Sequence, residues 1–159
     1  MTLALSAPQP LNATHVLTHF ACGEPALDDW LKRKALANHL GGASRTFVVV
    51  DDVNNVVGYY AMAAGGVSHQ LATGNVKRNM PDPIPVMVLA RLAVDLRAQG
   101  IKLGAALLQD AVLRAKTLAH NAGVRAMLVH ALHEKAKLFY THYGFQESPI
   151  NPMTLMLRL

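Results

Sequence analysis

The feature that most constrains the fold of this chain is a long apolar run, which leads through two glycines into a helical pattern. The run VMVLARLAVDL, residues 86–96, is typical of a central strand buried on both faces. The next stretch, RAQGIKLGAALL, residues 97–108, places Gly100 and Gly104 beside Lys102. A turn of this kind presents main-chain N–H groups at the positive end of a helix dipole, which favours phosphate, although glycines also serve turn geometry alone.

Length and composition limit the class of protein. The chain has 159 residues and 52% hydrophobic content, which predicts one globular domain over residues 1–159. Lys and Arg outnumber Asp and Glu by 15 to 10, which favours an anionic partner such as nucleic acid, a phosphate-bearing cofactor or an acidic protein.

Cysteine use and apolar runs indicate the compartment. Cys22, the single cysteine of the sequence, cannot form an internal disulfide and is expected to be a small packed residue in a reducing compartment. The start, MTLALSAPQP, lacks a basic segment typical of signal peptides, and no apolar run approaches the roughly 18 residues of a membrane span. We therefore expect a soluble, cytoplasmic protein without membrane contact.

Hydrophobic periodicity and turn residues predict the remaining elements. In chain order these are an extended segment (11–20), a helix (22–42), two strands (45–52 and 55–64) joined by a hairpin turn at 51–55, a proline-rich loop (75–85), the central strand, a helix (103–123), a strand (124–132), a short helix (133–145) and a last strand (153–159). Two helix faces are predicted to be buried, formed by Leu27, Trp30, Leu31 and Ala35 and by Leu103, Leu107, Ala111 and Leu118. The order predicts a mixed α/β fold with a parallel strand pair in its second half.

Three segments together resemble the Gcn5-related N-acetyltransferase (GNAT) superfamily. Its motif is Gln or Arg, two residues, Gly, one residue, then Gly or Ala, after a strand and opening a helix. Gln99 and Gly104 match it, whereas Lys102 stands where the central glycine is expected. "LARLAVD" resembles the family's central strand, and "EKAKLFYTHYGF" is similar to its C-terminal motif.

The resemblance implies a fold and a cofactor. The expected fold is a single-domain, GNAT-like mixed sheet with a splayed parallel pair, flanked by helices, and the expected acetyl donor is acetyl-CoA, with no metal. The residues that it places at the cofactor are Leu92, Ala93, Val94, Gln99, Gly100, Ile101, Lys102, Leu103, Gly104 and Ala105. A helix beginning at Leu103 fits the preferred register of the motif.

Tyr140 is the candidate catalytic residue. It falls at the tyrosine position of the superfamily motif, and a phenol is a suitable weak acid to protonate a departing thiolate. A tyrosine that only packs its ring in the last helix is the alternative reading, and we expect packing for Tyr143. His133, where many superfamily members have an asparagine near the cofactor, is interpreted as a partly exposed residue at a helix start.

Histidine pairs and basic residues are the remaining candidate binding groups. The pairs His15/His19 and His130/His133 lack the spacing or acidic partners of a metal site, so no metal is predicted. Arg33, Lys77, Arg78 and Arg91 are candidates for binding the phosphates of a nucleic acid, in contacts that would be independent of sequence and sensitive to salt.

Longer stretches narrow the resemblance to acetyltransferase toxins of type II toxin-antitoxin modules. They are "HFACGEPALDDWLKRKALANHLGGASRTFVVVDD", "RNMPDPIPVMVLARLAVD" and "NPMTLMLRL". Such toxins acetylate the amino group of aminoacyl-tRNA and block translation. This resemblance implies a homodimer, a ribbon-helix-helix antitoxin, and operator DNA bound through the toxin-antitoxin complex. Two alternatives stay open: a small-molecule or protein N-acetyltransferase, and an inactive module that binds coenzyme A or a partner.

Overall fold

The computed structural model describes residues 4–159. The first three residues of the segment considered for a signal peptide lie outside the described residues. The helices are α1 (Pro25–Trp30), α2 (Leu36–Gly41), α3 (Gly74–Lys77), α4 (Leu103–Ala119) and α5 (Glu134–His142). The strands are β1 (Gln9–Pro10), β2 (Arg45–Val50), β3 (Val56–Val67), β4 (Ile84–Val94), β5 (Ala126–His130), β6 (Gln146–Glu147) and β7 (Thr154–Arg158). Within residues 4–159, no helix is long and apolar enough to cross a bilayer.

The strands form a mixed sheet of seven strands in the order β1-β2-β3-β4-β5-β7-β6. The pair β4–β5 is parallel, as the strand-helix-strand order predicted, because α4 returns the chain to the same end of the sheet. The chain divides into two compact units: Met1–Ala63 with Arg91–Ala111, and Ala64–Ala90 with Val112–Leu159. These are called the first and the second unit below.

A long helical segment packs against the sheet in the first unit. α1 begins at Pro25 and continues through a π-helical turn, Leu31–Ala35, into α2, which ends before Gly42 with its left-handed φ of +82°. Leu31 and Ala35 are fully buried, in one cluster with Phe20 and Tyr59. Leu27 and Trp30 pack beside that cluster, so the predicted buried face of this helix is confirmed.

The β2–β3 hairpin and the start of α4 complete the first unit. The hairpin turn is the predicted one: the Asp51 carboxylate accepts from the N–H groups of Val53 (3.1 Å) and Asn55 (2.9 Å). Gly58 in β3 lies under α4, and a Cβ there would approach side-chain carbons of Leu103 and Leu107 to 3.0 and 3.1 Å. A glycine at this position therefore lets α4 lie close to the strand.

The second unit contains the parallel pair and the last two helices. Val86, Met87 and Val88 of β4 are in register with Ala126, Met127 and Leu128 of β5, and β5 pairs antiparallel with β7 on its other side. The register ends there, although β5 continues to His130. Val76 of α3 packs with Ile84, Leu128 and Met156 in the core of this unit.

Several predicted elements were wrong or incomplete. Residues 11–20 do not form an extended segment but a series of turns with one bridge, Val16 to Asn55, because Asn12 and His15 hydrogen-bond to each other and fold the chain back. The proline-rich loop contains α3, and the two-residue strand β6 was missed. Leu118, predicted to be buried, is 43% exposed and lies in the last turn of α4, so this part of the prediction was wrong.

Candidate active site

The C-terminal end of β4 alternates between the core and a half-buried face. Ala93 is 5% exposed and packs in the cluster of Leu31 and Tyr59, whereas Leu92 and Val94 on either side are half-buried. Strand alternation thus directs Leu92 and Val94 to the face opposite Ala93. Asp95 then leaves the strand with its N–H donated to the Val57 carbonyl, at 2.9 Å.

Asp95 organises the turn that follows β4. Its buried carboxylate accepts from the Ala21 N–H (3.0 Å), from the Arg97 N–H (2.9 Å) and from the Arg97 guanidinium (2.9 and 3.2 Å). Burial by itself would raise the pKa of Asp95, but the hydrogen bonds from the Arg97 side chain and the two N–H groups outweigh it and lower the pKa. The carboxylate therefore stays ionised and caps the short 3₁₀ helix Leu96–Ala98.

The Gln99 side chain bridges the turn to a neighbouring segment. Its Nε2 donates to the carbonyls of Val94 (3.0 Å) and Cys22 (3.1 Å). The motif glutamine thus ties the end of β4 to the segment before α1, so its side-chain amide serves the shape of the turn. Cys22 itself is half-buried, and burial first of all raises the pKa of its thiol to about 11, consistent with an inert packed residue.

Two left-handed residues shape the entry to α4. Gly100 has φ +85° and Lys102 has φ +63°, the region that glycine favours. A Cβ on Gly100 would meet nothing within 4 Å, so the main chain is open on that side. α4 begins at Leu103, as predicted, and the N–H groups of Leu103, Gly104 and Ala105 donate to no other residue within the described chain.

This turn fits a pyrophosphate. Unpaired N–H groups at a helix start donate hydrogen bonds to anionic oxygens, and the open side of Gly100 admits a ligand to the main chain. Lys102 and Ile101 are exposed beside it. The first unit thus brings together the predicted cofactor residues of β4 and of the turn along one continuous stretch, residues 92–105.

Tyr140 lies in the second unit, on α5. It is 7% exposed, and its ring makes edge contacts with Phe139 (5.2 Å between centroids) and Phe145 (5.5 Å). Its hydroxyl forms no hydrogen bond with another residue in the described part of the chain. Burial raises the pKa of Tyr140 to about 12, which keeps the phenol protonated at neutral pH.

The other residues considered for chemistry have structural roles. His133 caps α5, its Nδ1 accepting from the Ala136 N–H at 3.1 Å, as the helix-start interpretation predicted. His15 is buried and accepts from the Asn12 N–H. Tyr143 contacts Phe139 but is 44% exposed, so the prediction that it packs holds only for one side of its ring. Over residues 4–159, no three His, Cys, Asp or Glu side chains cluster as metal ligands would.

The four basic candidates fall in both units. Arg33 is exposed on the π-helical turn, and Lys77 and Arg78 are exposed at the end of α3. Arg91 is half-buried, with its guanidinium carbon 5.0 Å from the centre of the Trp30 ring, which stacks in turn on Tyr59 at 6.1 Å. Arg33 and Arg91 belong to the first unit, and Lys77 and Arg78 belong to the second.

Sequence reasoning missed two partners of these basic residues. Trp30 was assigned only to the core, yet it holds the Arg91 guanidinium in a cation–π contact. Arg125 was not singled out, yet it binds the main chain around Lys77 and Arg78. Both contacts join residues far apart in the chain, and no local pattern reports them.

Comparison with known proteins agrees with this geometry. Residues 42–147 match the acetyltransferase (GNAT) domain family. The chain is 52% identical to a tRNA-acetylating toxin of Mycobacterium tuberculosis over 96% of its own length and 91% of the relative. It is similar to solved structures of AtaT with acetyl-methionyl-tRNAfMet (27% identical, TM-score 0.89, 97% and 94% of the two chains) and of AtaTR with acetyl-CoA (28%, 0.84, 98% and 94%).

Two further solved structures show partners of such proteins. One is a tyrosine-to-phenylalanine mutant of AtaT bound to the C-terminus of the antitoxin AtaR, 26% identical with a TM-score of 0.83. The other is a KacTA–DNA complex, 28% identical with a TM-score of 0.80. Each match covers at least 97% of the present chain. With the matched domain, the close relative and the strand-turn-helix of residues 92–105, the chain belongs to the GNAT acetyltransferase family.

Proposed function

We propose that this protein is the toxin of a type II toxin-antitoxin module, which transfers the acetyl group of acetyl-CoA to the amino group of aminoacyl-tRNA and so blocks translation. The observation that carries this function is the 52% identity, along nearly the whole chain, to a tRNA-acetylating toxin. The structure of AtaT with acetyl-methionyl-tRNAfMet supports the same reaction product. The positive net charge, +5, suits an RNA substrate.

The proposed cofactor site consists of the end of β4 and the following turn. Acetyl-CoA supplies an acetyl group activated as a thioester. Main-chain groups of Leu92, Ala93 and Val94 pair with its pantetheine arm, and the segment Gln99–Ala105 receives its pyrophosphate. The backbone of Lys102 supports this assignment. Lys102 stands where the family motif has a glycine, and it adopts a left-handed conformation that glycine favours.

Tyr140 is the proposed general acid. The acceptor amine has a pKa near 8 or below, so a useful fraction is neutral without a strong base, whereas the departing thiolate needs a proton. A buried phenol with a pKa of about 12 is fully protonated and available as that donor. Tyr140 belongs to the second unit, whereas residues 92–105 belong to the first.

Arg33, Lys77, Arg78 and Arg91 are the proposed tRNA contacts. Exposure of Arg33, Lys77 and Arg78 supports phosphate binding, and the Trp30 ring under Arg91 holds that guanidinium in one orientation. Neutralising Arg78 or Arg91 is expected to weaken tRNA acetylation while leaving acetyl-CoA binding intact.

The proposed assembly follows the relatives. We propose a cytoplasmic homodimer that binds a ribbon-helix-helix antitoxin and, through it, operator DNA. The AtaR-bound and KacTA–DNA structures support an antitoxin and DNA as partners. Sedimentation of the purified chain alone measures whether it is a dimer. Sedimentation with its antitoxin measures the composition of the complex.

The reaction is tested by acetyl transfer from labelled acetyl-CoA to total charged tRNA, separated afterwards by amino acid. Wild type is expected to label aminoacyl-tRNA, and Tyr140→Phe to lose roughly 100- to 10,000-fold of that rate. Tyr143→Phe is the matched control, since it removes an exposed phenol from the same helix end, and its rate should be unchanged.

The alternatives have distinct outcomes in this experiment. Binding of coenzyme A without label on any tRNA would contradict the toxin function. Label that then appears on a small amine or a lysine would indicate the general N-acetyltransferase, and no label at all would indicate an inactive binding module.

A further inference from the structure

The Arg125 side chain closes the C-terminal end of α3. Its Nε donates to the Val76 carbonyl, and its Nη2 donates to the carbonyls of Asn75 and Arg78, all at 3.2 Å. A guanidinium presents its donors in a rigid planar fork, so three carbonyls bound to one fork are held in one arrangement. Its positive charge is also favourable at a helix C-terminus.

The main chain of Arg125 is itself fixed by the sheet. Its N–H donates to the Pro85 carbonyl at 2.8 Å, and its carbonyl accepts from the Leu159 N–H at 3.1 Å. The next residue, Ala126, is in register with Val86 and with Arg158. Arg125 therefore connects α3 to the most regular part of the second unit.

α3 depends on contacts with the rest of the second unit. It is a helix of four residues, and isolated helices of that length are unstable in water. Val76 and Ala72 anchor it through complete burial, and Met80 packs on the same core. The carbonyls bound by Arg125 include that of Arg78 and flank Lys77, and the exposed side chains of Lys77 and Arg78 make no ion pair with an acidic group in residues 4–159.

We propose that Arg125 is a positioning residue for tRNA, which fixes the main chain beneath Lys77 and Arg78 so that both side chains meet phosphates in a preset orientation. This proposal rests on the proposed function. Side chains that are already oriented lose less conformational freedom when tRNA binds. The affinity for tRNA therefore increases although no additional contact forms. Arg125 acts through the α3 main chain and is not itself assigned to a phosphate.

The test compares Arg125→Lys with wild type. Lysine keeps the charge but lacks the planar fork, so it cannot bind all three carbonyls in the same way. We expect the KM for charged tRNA to rise about tenfold, with kcat and the KM for acetyl-CoA unchanged. Arg158→Lys is the matched control, because Arg158 is exposed on the neighbouring strand, and its KM values should equal those of wild type.

A double-mutant cycle decides how Arg125 acts. In a Lys77→Ala, Arg78→Ala background, Arg125→Lys should add no further increase in KM, because its effect passes through those two side chains. An undiminished increase in that background would overturn the proposal, as would a fall in kcat or in acetyl-CoA binding that accompanies a general loss of stability.

Hydrogen exchange of the free protein tests the effect of Arg125 on α3 independently of the acetylation reaction. Arg125→Lys should speed amide exchange at Arg78 and Met80, while exchange in β5 and β7 stays that of wild type. Unchanged exchange at α3 would overturn the positioning role even if tRNA is the substrate. A wild-type protein that labels no charged tRNA would instead overturn the proposed function, and with it the tRNA role of Arg125.

Discussion

Lys102 adopts a left-handed backbone, with φ +63°, at the position where the GNAT motif has a glycine. For a residue with a Cβ this conformation costs roughly 1–2 kcal/mol. Gly100, two residues earlier, also has a positive φ but avoids this cost because it lacks a Cβ. Lys102 is therefore expected to make the turn less stable than a glycine in the same conformation would.

Lys102→Gly is expected to leave the free energy of unfolding unchanged or to raise it by up to about 1 kcal/mol. Relief of the backbone strain offsets the larger chain entropy of an unfolded glycine, which is about 0.5–1 kcal/mol. Lys116→Gly is the control, since Lys116 is exposed inside α4, and it should cost about 1 kcal/mol. Urea unfolding measures both, and equal losses in the two variants would contradict the strain at Lys102.

Tyr140 determines how the reaction depends on alkaline pH. A general acid must be protonated, and burial raises the pKa of this phenol to about 12, so its protonated form persists as pH rises to 10. The rate with charged tRNA should therefore rise as the acceptor amine loses its proton and then stay level to about pH 10. Rates measured in single-turnover mode, within the lifetime of the ester, test this, and a decline between pH 8 and 10 would contradict the assignment.

At the scale of elements, Asp95 joins two segments of the first unit. Its carboxylate binds the chain before α1 through the Ala21 N–H, and the 3₁₀ helix after β4 through the N–H and the guanidinium of Arg97. Removing a buried, hydrogen-bonded charge leaves its donors without partners, so Asp95→Ala is expected to destabilise the protein by about 3 kcal/mol. The measurement is urea unfolding at neutral pH.

The same residue gives a pH signature. Because the folded pKa of Asp95 is lowered, its contribution to stability is present above the unfolded value of 3.8 and is lost as pH falls through the folded pKa. From pH 5 downwards, wild type should lose more stability than Asp95→Asn. Asp52→Asn, which alters an exposed carboxyl in the hairpin turn, should follow wild type, and parallel curves for all three proteins would contradict a role for the Asp95 charge.

The elements that sequence predicted well are those with a long pattern. β4, α4 and the α1–α2 segment show hydrophobic periodicity, and Gly42 and Leu103 mark their ends as expected. α3 was missed because its contacts, including the hydrogen bonds from Arg125, come from residues distant in the sequence. The prediction for residues 11–20 was wrong because apolar residues there belong to turns that pack on the core. Candidate cofactor residues could be named from the sequence where a motif is contiguous, and their role stays a prediction. The contacts of the Gln99 amide and of Trp30 arise from tertiary structure, which no local pattern reports.

For the whole molecule, we expect the positive charge to make the affinity for tRNA depend on salt concentration. Each phosphate contact releases counterions, so the four proposed contacts predict that the logarithm of affinity falls with the logarithm of salt with a slope of roughly −3 to −4. The net charge of +5 also produces a diffuse field, which depends on total charge and not on position. These two contributions give different results when single arginines are removed.

Arg78→Gln and Arg158→Gln change the net charge equally, and both side chains are exposed. If phosphates are bound at defined positions, Arg78→Gln should reduce the magnitude of the slope by about 1, while Arg158→Gln leaves it unchanged. The measurement is the KM for charged tRNA from about 50 to 200 mM salt, with acetyl-CoA saturating. Equal slopes for both variants would show that the diffuse field, and not Arg78, holds the tRNA, because only a position-independent attraction treats the two arginines alike.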